Sequence, residues 1–172
     1  MNHDSYSDAY IKGILDETRT IAMVGASANT VRPSYFVLKY MLSKGYDVWP
    51  INPGHAGKEI LGQMTHASLA DLPEAPDMID IFRNSAAAAK IVDDIIASKN
   101  LPKTIWMQLS VRNDEAAARA EAAGIKVVMD RCPKIEYGRL SGEIGWAGVN
   151  SRTLSSKRPT LRDGFQRRGL KS

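Results

Sequence analysis

Five short apolar runs, each closed by a turn or a polar residue, constrain what this chain can fold into more than any other feature. They are Thr20–Gly25, Tyr46–Asn52, Met78–Phe82, Thr104–Leu109 and Lys126–Met129. Runs of this kind belong to strands buried on both faces, the condition of a parallel sheet. The segments between them supply the cover. Residues 5–17 carry Tyr10, Ile11, Ile14 and Leu15 at helical spacing. Pro33 opens a second helix with Val37, Leu38, Met41 and Leu42 on one side, and Gly45 closes it. Ser85 is expected to cap a third helix, which buries Ile91, Val92, Ile95 and Ile96. Asn113 caps a fourth, with Asp114 and Glu115 in its first turn and Gly124 at its end. Asn52-Pro53-Gly54, Leu61-Gly62 and Ser68 to Pro76 read as a loop-rich stretch. Strand and helix in repetition predict a doubly wound, Rossmann-like α/β domain, a parallel sheet of about five strands with helices on both faces.

That architecture locates a site before any residue is interpreted, because ligands of open α/β sheets bind outside the carboxyl ends of the strands. Those ends are Gly25-Ala26-Ser27, Asn52-Pro53, Phe82-Arg83-Asn84, Gln108-Leu109-Ser110 and Asp130-Arg131-Cys132. In the first, small residues let a ligand approach the main chain, and the helix opening at Pro33 directs N–H groups at an anion. The dinucleotide pattern G-x-G-x-x-G is absent, since Ala26, Ser27, Ala28, Asn29 and Thr30 follow Gly25. An NAD-binding sheet also wants an acid at the end of its second strand. Asn52 stands there, with no Asp or Glu before Glu59, and no P-loop occurs. A nucleotide-like ligand is expected, its identity open.

At 172 residues and 44% hydrophobic content, the chain can bury one ordinary core. No apolar run approaches the ~20 residues of a membrane span, and the polar Met1–Tyr6 start lacks the order of a signal peptide. No membrane association is expected. The single cysteine, Cys132, excludes an internal disulfide and suits a reducing cytoplasm. His3, His55 and His66 show no metal-ligand spacing, so no metal is expected. The net charge of +4 is uneven. Of 23 basic and 19 acidic residues, Arg152, Lys157, Arg158, Arg162, Arg167, Arg168, Lys171 and the lone acid Asp163 lie beyond Ser151, leaving 16 basic against 18 acidic groups. This basic tail reads as a solvated terminus, with contact to nucleic acid or an anionic surface as the alternative. It carries one aromatic residue, Phe165, and no nucleic-acid motif, so nucleic acid is not the expected partner.

Several blocks taken together resemble a known family. They are Val24-Gly25-Ala26-Ser27, Arg32-Pro33-Ser34-Tyr35, Gly45-Tyr46-Asp47-Val48, Pro50-Ile51-Asn52-Pro53, Phe82-Arg83, Trp106-Met107-Gln108-Leu109 and Val127 through Pro133. In this order, over roughly residues 15–140, the chain is similar to the small bacterial CoA-binding domain proteins. A weaker likeness, on Pro53-Gly54 and Cys132-Pro133, runs to the N-terminal CoA-binding domain of the succinyl-CoA synthetase α subunit. The chain is expected to end before the ligase domain that would carry a phosphorylated histidine. The resemblance therefore implies binding of coenzyme A or an acyl-CoA without that enzyme's activity. With the helical spacing and the charge distribution, the chain is expected to divide into an N-terminal helix in residues 1–19, a CoA-binding domain over 20–146 and a basic, partly disordered tail over 147–172.

The resemblance also suggests roles. Gly25, Ala26 and the Ser27 hydroxyl would take the pyrophosphate, with Arg32 before Pro33 as a forked donor. Asn52 and Pro53 would shape the adenosine end, and Lys58 would reach the 3′-phosphate. Beside Phe82, Arg83 either holds phosphate or pairs with Asp80 or Glu136. Gln108 suits pantetheine amides or satisfies loop backbone. Cys132, between Arg131 and Lys134, is either a thiolate able to form a mixed disulfide with the ligand or a small buried residue. Asp130 and Glu136 are an acid/base pair or structural caps. His55 and His66 are expected at the surface. Three classes of function compete: a CoA-binding protein without catalysis, an enzyme acting on a CoA thioester or with NAD(P), and a partner or nucleic-acid binder working through the tail. A homodimer is compatible with each.

Overall fold

The computed structural model describes residues 1–98 and 100–143, and the basic tail expected over 147–172 lies outside them. Helix α1 (Asp8–Glu17) leads into β1 (Thr20–Val24), α2 (Pro33–Ser43) and β2 (Asp47–Ile51). A small antiparallel hairpin, β3 (Glu59–Ile60) and β4 (Gln63–Met64), follows. The chain continues through β5 (Met78–Ile81), α3 (Ser85–Ala97), β6 (Thr104–Met107), α4 (Asp114–Ala122), β7 (Lys126–Val128) and α5 (Pro133–Leu140). Five strands form a parallel sheet in the order β2-β1-β5-β6-β7. Helices lie on both faces, so the doubly wound arrangement expected from the sequence is the fold.

Side-chain alternation sorts the core into two layers. Ile21 and Met23 of β1, Val48 of β2, Met78 of β5 and Trp106 of β6 meet α1, α2 and α5. Ala22, Ile51, Ile79, Ile81, Ile105 and Met107 meet α3 and α4 on the other face. The methionines 23, 41 and 129 are core residues, as expected. The cap of α3 is Asn84, whose Oδ1 accepts from the Ala87 N–H at 2.9 Å. The expected cap, Ser85, instead accepts from the Arg112 N–H at 3.1 Å and ties the start of α3 to the loop after β6. Asn reaches the N3 amide from one residue earlier, which leaves the serine free for this long-range bond.

Two features escape the helix and strand periods. The hairpin is too short for a pattern. Helix α5 has few apolar residues, and Tyr137 secures it by meeting Tyr40 and Tyr46 edge-on at centroid distances of 6.0 and 6.2 Å. Lys44 and Glu143, both side chains buried, form an ion pair beside those rings. At the far edge of the sheet, the Tyr10 hydroxyl donates to the Val127 carbonyl and the Tyr6 hydroxyl accepts from the Met129 N–H. These bonds engage main-chain groups at the outer edge of β7, which would otherwise invite a further strand.

The connection from β2 to β5 contains no α-helix. It uses two single turns of 3₁₀ helix, Pro53–His55 and Leu69–Asp71, around the hairpin. His66 extends the sheet by one isolated bridge, its N–H donating to the Pro50 carbonyl and its carbonyl accepting from the Asn52 N–H, each at 2.9 Å. The α3 face above β1 and β2 is therefore roofed by loop on one side and by α3 on the other.

Candidate functional site

The strand order reverses at β1, with β2 on one side and β5 on the other, so the carboxyl ends of β1 and β5 flank the switch point. Gly25 and Phe82-Arg83 stand there. Gly25 has φ +87°, and a Cβ on it would lie 3.0 Å from the Phe82 carbonyl oxygen and 3.1 Å from Arg83 Cδ. Only glycine combines that backbone angle with that approach. After it, the Ser27 hydroxyl accepts from the Asn29 N–H at 3.1 Å and Asn29 Oδ1 from the Val31 N–H at 3.0 Å. The turn thus folds on its own side chains. Among the described residues, the N–H groups of Ala26, Ser27, Ala28 and Thr30 have no protein acceptor. They lie just before α2, whose N-cap Arg32 is exposed and makes no side-chain cap bond. This combination suits an anion.

From the switch point a cleft of about 640 Å³ runs along α3. Val24, Ile51 and Ile79 form its floor, Leu69 and Leu72 its loop wall, and Lys90, Ile91, Asp94 and Ile95 of α3 the opposite wall. Gly25, Asn52, Pro53 and Arg83 line its upper end. The Asn52 side chain is engaged inside the protein: Nδ2 donates to the Ala26 carbonyl at 2.7 Å and Oδ1 accepts from the Gly54 N–H at 2.9 Å. It braces the first two strand ends against each other. Lys58 is exposed outside the cleft. Lys90, which no sequence motif singled out, is the cleft's lysine. Its signal was available, because Ala87, Lys90, Ile91, Asp94, Ile95 and Ser98 form one helical stripe and all line the cleft.

Gln108 and Cys132 lie on the other face, toward α2 and α5. Asp80 is fully buried, and the Gln108 Nε2 donates to its two oxygens at 2.8 and 2.9 Å. The Gln108 donor is therefore not available to a ligand amide, and it does not serve loop backbone either. Burial pushes the Asp80 carboxyl up to about 8, with the Gln108 bond pulling it partly back. Arg83 has neither expected carboxylate partner, since Asp80 belongs to Gln108 and Glu136 to Arg139 at 2.7 Å, with Arg131 at 3.8 Å. Asp130 Oδ1 accepts from the Ser110 N–H at 2.7 Å, which leaves Asp130 and Glu136 in separate structural roles. His55 and His66 are both partly buried.

Cys132 is the N-cap of α5 and is buried among Phe82, Tyr137 and their neighbours. Burial raises its thiol pKa and the nearby Asp80 adds to the rise, against the Ile135 and Lys134 N–H groups and the Lys134 charge. Of the two readings of Cys132, the small buried residue is the one that accords with a protonated, covered thiol. Alkylation of Cys132 by iodoacetamide at pH 7.5 should be at least about a hundredfold slower in the native protein than in denaturant. Equal rates would show an activated thiol.

A family model for a CoA binding domain matches residues 19–138. The chain belongs to the CoA-binding domain family. This CoA-binding domain is 31% identical over 131 residues to the uncharacterised protein YneT of Bacillus subtilis, a match covering 76% of this chain and 94% of that one. A solved Thermus thermophilus structure superposes with a TM-score of 0.73 at 36% identity, covering 78% of this chain and 99% of the other. The dinucleotide-forming acetyl-coenzyme A synthetase 1 of Candidatus Korarchaeum cryptofilum matches at TM-score 0.52 and 25% identity, over 63% of this chain and 25% of that much longer one. No helix among the described residues of the CoA-binding domain is long and apolar enough to cross a membrane.

Proposed function

We propose that this CoA-binding domain, residues 20–146 behind the N-terminal helix 1–19, holds coenzyme A or an acyl-CoA without transforming it. The carrying observation is the charge pattern at the cleft's upper end. The position of a ribose-binding acid is filled there by Asn52, whose side chain is consumed by Ala26 and Gly54, and Arg83 brings a cation beside Gly25, while along the walls Lys90 is accompanied by the carboxylates of Glu74 and Asp94. That pattern favours a ligand rich in phosphate over NAD. The unpaired N–H groups after Gly25 suit the pyrophosphate, and the apolar floor suits adenine. Binding without chemistry accords with the protein partners of Asp80, Asp130 and Glu136 and with the covered Cys132 thiol.

Isothermal titration calorimetry with coenzyme A, acetyl-CoA and NAD is the test. Heat with the first two and none with NAD is expected. Arg83→Ala should weaken coenzyme A about tenfold or more, the effect of losing one charge-assisted contact. No heat with coenzyme A at millimolar concentration, or tighter binding of NAD, would defeat the reading.

A further inference from the structure

Asn52 follows β2 in an extended conformation, and its main chain is pinned by two histidines. Its N–H donates to the His66 carbonyl at 2.9 Å, and its carbonyl accepts from the His55 N–H at 3.0 Å. The side chain is held at both ends as well, with Nδ2 on the Ala26 carbonyl at 2.7 Å and Oδ1 on the Gly54 N–H at 2.9 Å. Both partners are main-chain groups of fixed polarity, so the amide has one sense. Turned over, it would set oxygen against oxygen and N–H against N–H. Ala26 is fully buried, so its carbonyl has no water to turn to and depends on this donor.

The consequence falls on the other side of the same peptide. The Ala26–Ser27 bond is trans, and the C=O and N–H of a trans peptide point in opposite directions. With the Ala26 carbonyl held toward Asn52, the Ser27 N–H faces away from it. That N–H is one of the four in this turn without a protein acceptor among the described residues. Gly25 at φ +87° and the bond from the Asn29 N–H to the Ser27 hydroxyl fix the chain before and after this peptide. We infer that Asn52 is a positioning residue that aims the Ser27 N–H at a phosphate of the coenzyme's diphosphate. The inference rests on the coenzyme A reading. It also gives the amide at this position a task that an acid cannot perform. A carboxylate has no proton for the Ala26 carbonyl, so the acid that would hold the ribose of NAD would release the turn that holds the phosphate.

Two substitutions isolate the donor. Asn52→Leu removes it without adding charge, and Asn52→Asp removes it while keeping the shape and the acceptor for Gly54. Melting curves verify that each variant is folded. Each should weaken coenzyme A at least about tenfold in calorimetry. The second readout is the Ser27 amide signal in two-dimensional NMR spectra. It should move in the wild type when coenzyme A or inorganic pyrophosphate is added, and stay in place in both variants at the same concentrations. Coenzyme A binding at wild-type strength by either folded variant would overturn the assignment. So would a wild-type Ser27 signal indifferent to both probes, or one that moves equally in the variants. A wild type that binds no coenzyme A, while its Ser27 signal follows pyrophosphate, would instead sink the coenzyme A reading and leave Asn52 in its role.

Discussion

Gly25→Ala is expected to cost about 2–4 kcal/mol of stability and to weaken coenzyme A at least about tenfold. Two costs add at this residue. The backbone sits at φ +87°, which an L side chain resists, and the new Cβ would press on the Phe82 carbonyl at 3.0 Å and Arg83 Cδ at 3.1 Å. Relief of that contact means shifting the carboxyl end of β5, the other bank of the switch point. Gly57→Ala is the matched control. Gly57 has φ +77° but nothing within 4 Å of an added methyl, and it lies outside the cleft. It should carry the backbone strain alone, about 1 kcal/mol, with unchanged binding. Urea melts and titrations of the two variants side by side decide the matter. Equal effects at the two positions would mean that the approach of β1 and β5 has no bearing on the ligand.

Asp80→Asn should stabilise the protein at pH 8, raising the melting temperature by something on the order of 5–10 °C, and should have little effect near pH 4. The sign follows from where the proton sits. In the unfolded chain the Asp80 carboxyl ionises near its ordinary value of 3.8, whereas burial holds it protonated in the fold up to about 8. Below pH 4 both states carry the proton and nothing is lost. Between about pH 4 and 8 the unfolded state alone releases it, and native stability falls by up to about 1.4 kcal/mol per pH unit from this group. Asparagine removes that slope and keeps a hydrogen bond to Gln108 after the amide turns. Melting temperatures of wild type and variant across pH 4–9 would show the two curves diverging upward in pH. Parallel curves would mean that Asp80 is ionised in the folded protein.

How far the sequence carried can be judged residue by residue. The five strands and the helices from Pro33, Asn84 and Asn113 follow from apolar runs, a proline and two asparagine caps, all of which act within a few residues. Helix α5 was not foreseen because it depends on Tyr137 meeting Tyr40 and Tyr46, residues some ninety positions earlier in the chain. Asn84 caps α3 in place of Ser85 because it reaches the N3 amide from one residue earlier, and the serine is left to bond Arg112 of another loop. Lys90 belonged to a legible stripe, but the stripe reads as a cleft wall only once the missing helix after β2 is seen to leave that face open to a ligand.

The sequence by itself determined the parallel α/β architecture, and it pointed to the carboxyl edge as the place of the candidate site and to the glycine at its centre. These depend on local periodicity and on the conformational freedom of one residue. Only the tertiary structure decided which face each edge residue serves. It set Asn52, Arg83 and Lys90 around the cleft, turned Gln108 onto Asp80 and covered the Cys132 thiol. Those outcomes depend on which strands become neighbours, and a buried carboxyl takes its donor from whatever the strand order brings beside it.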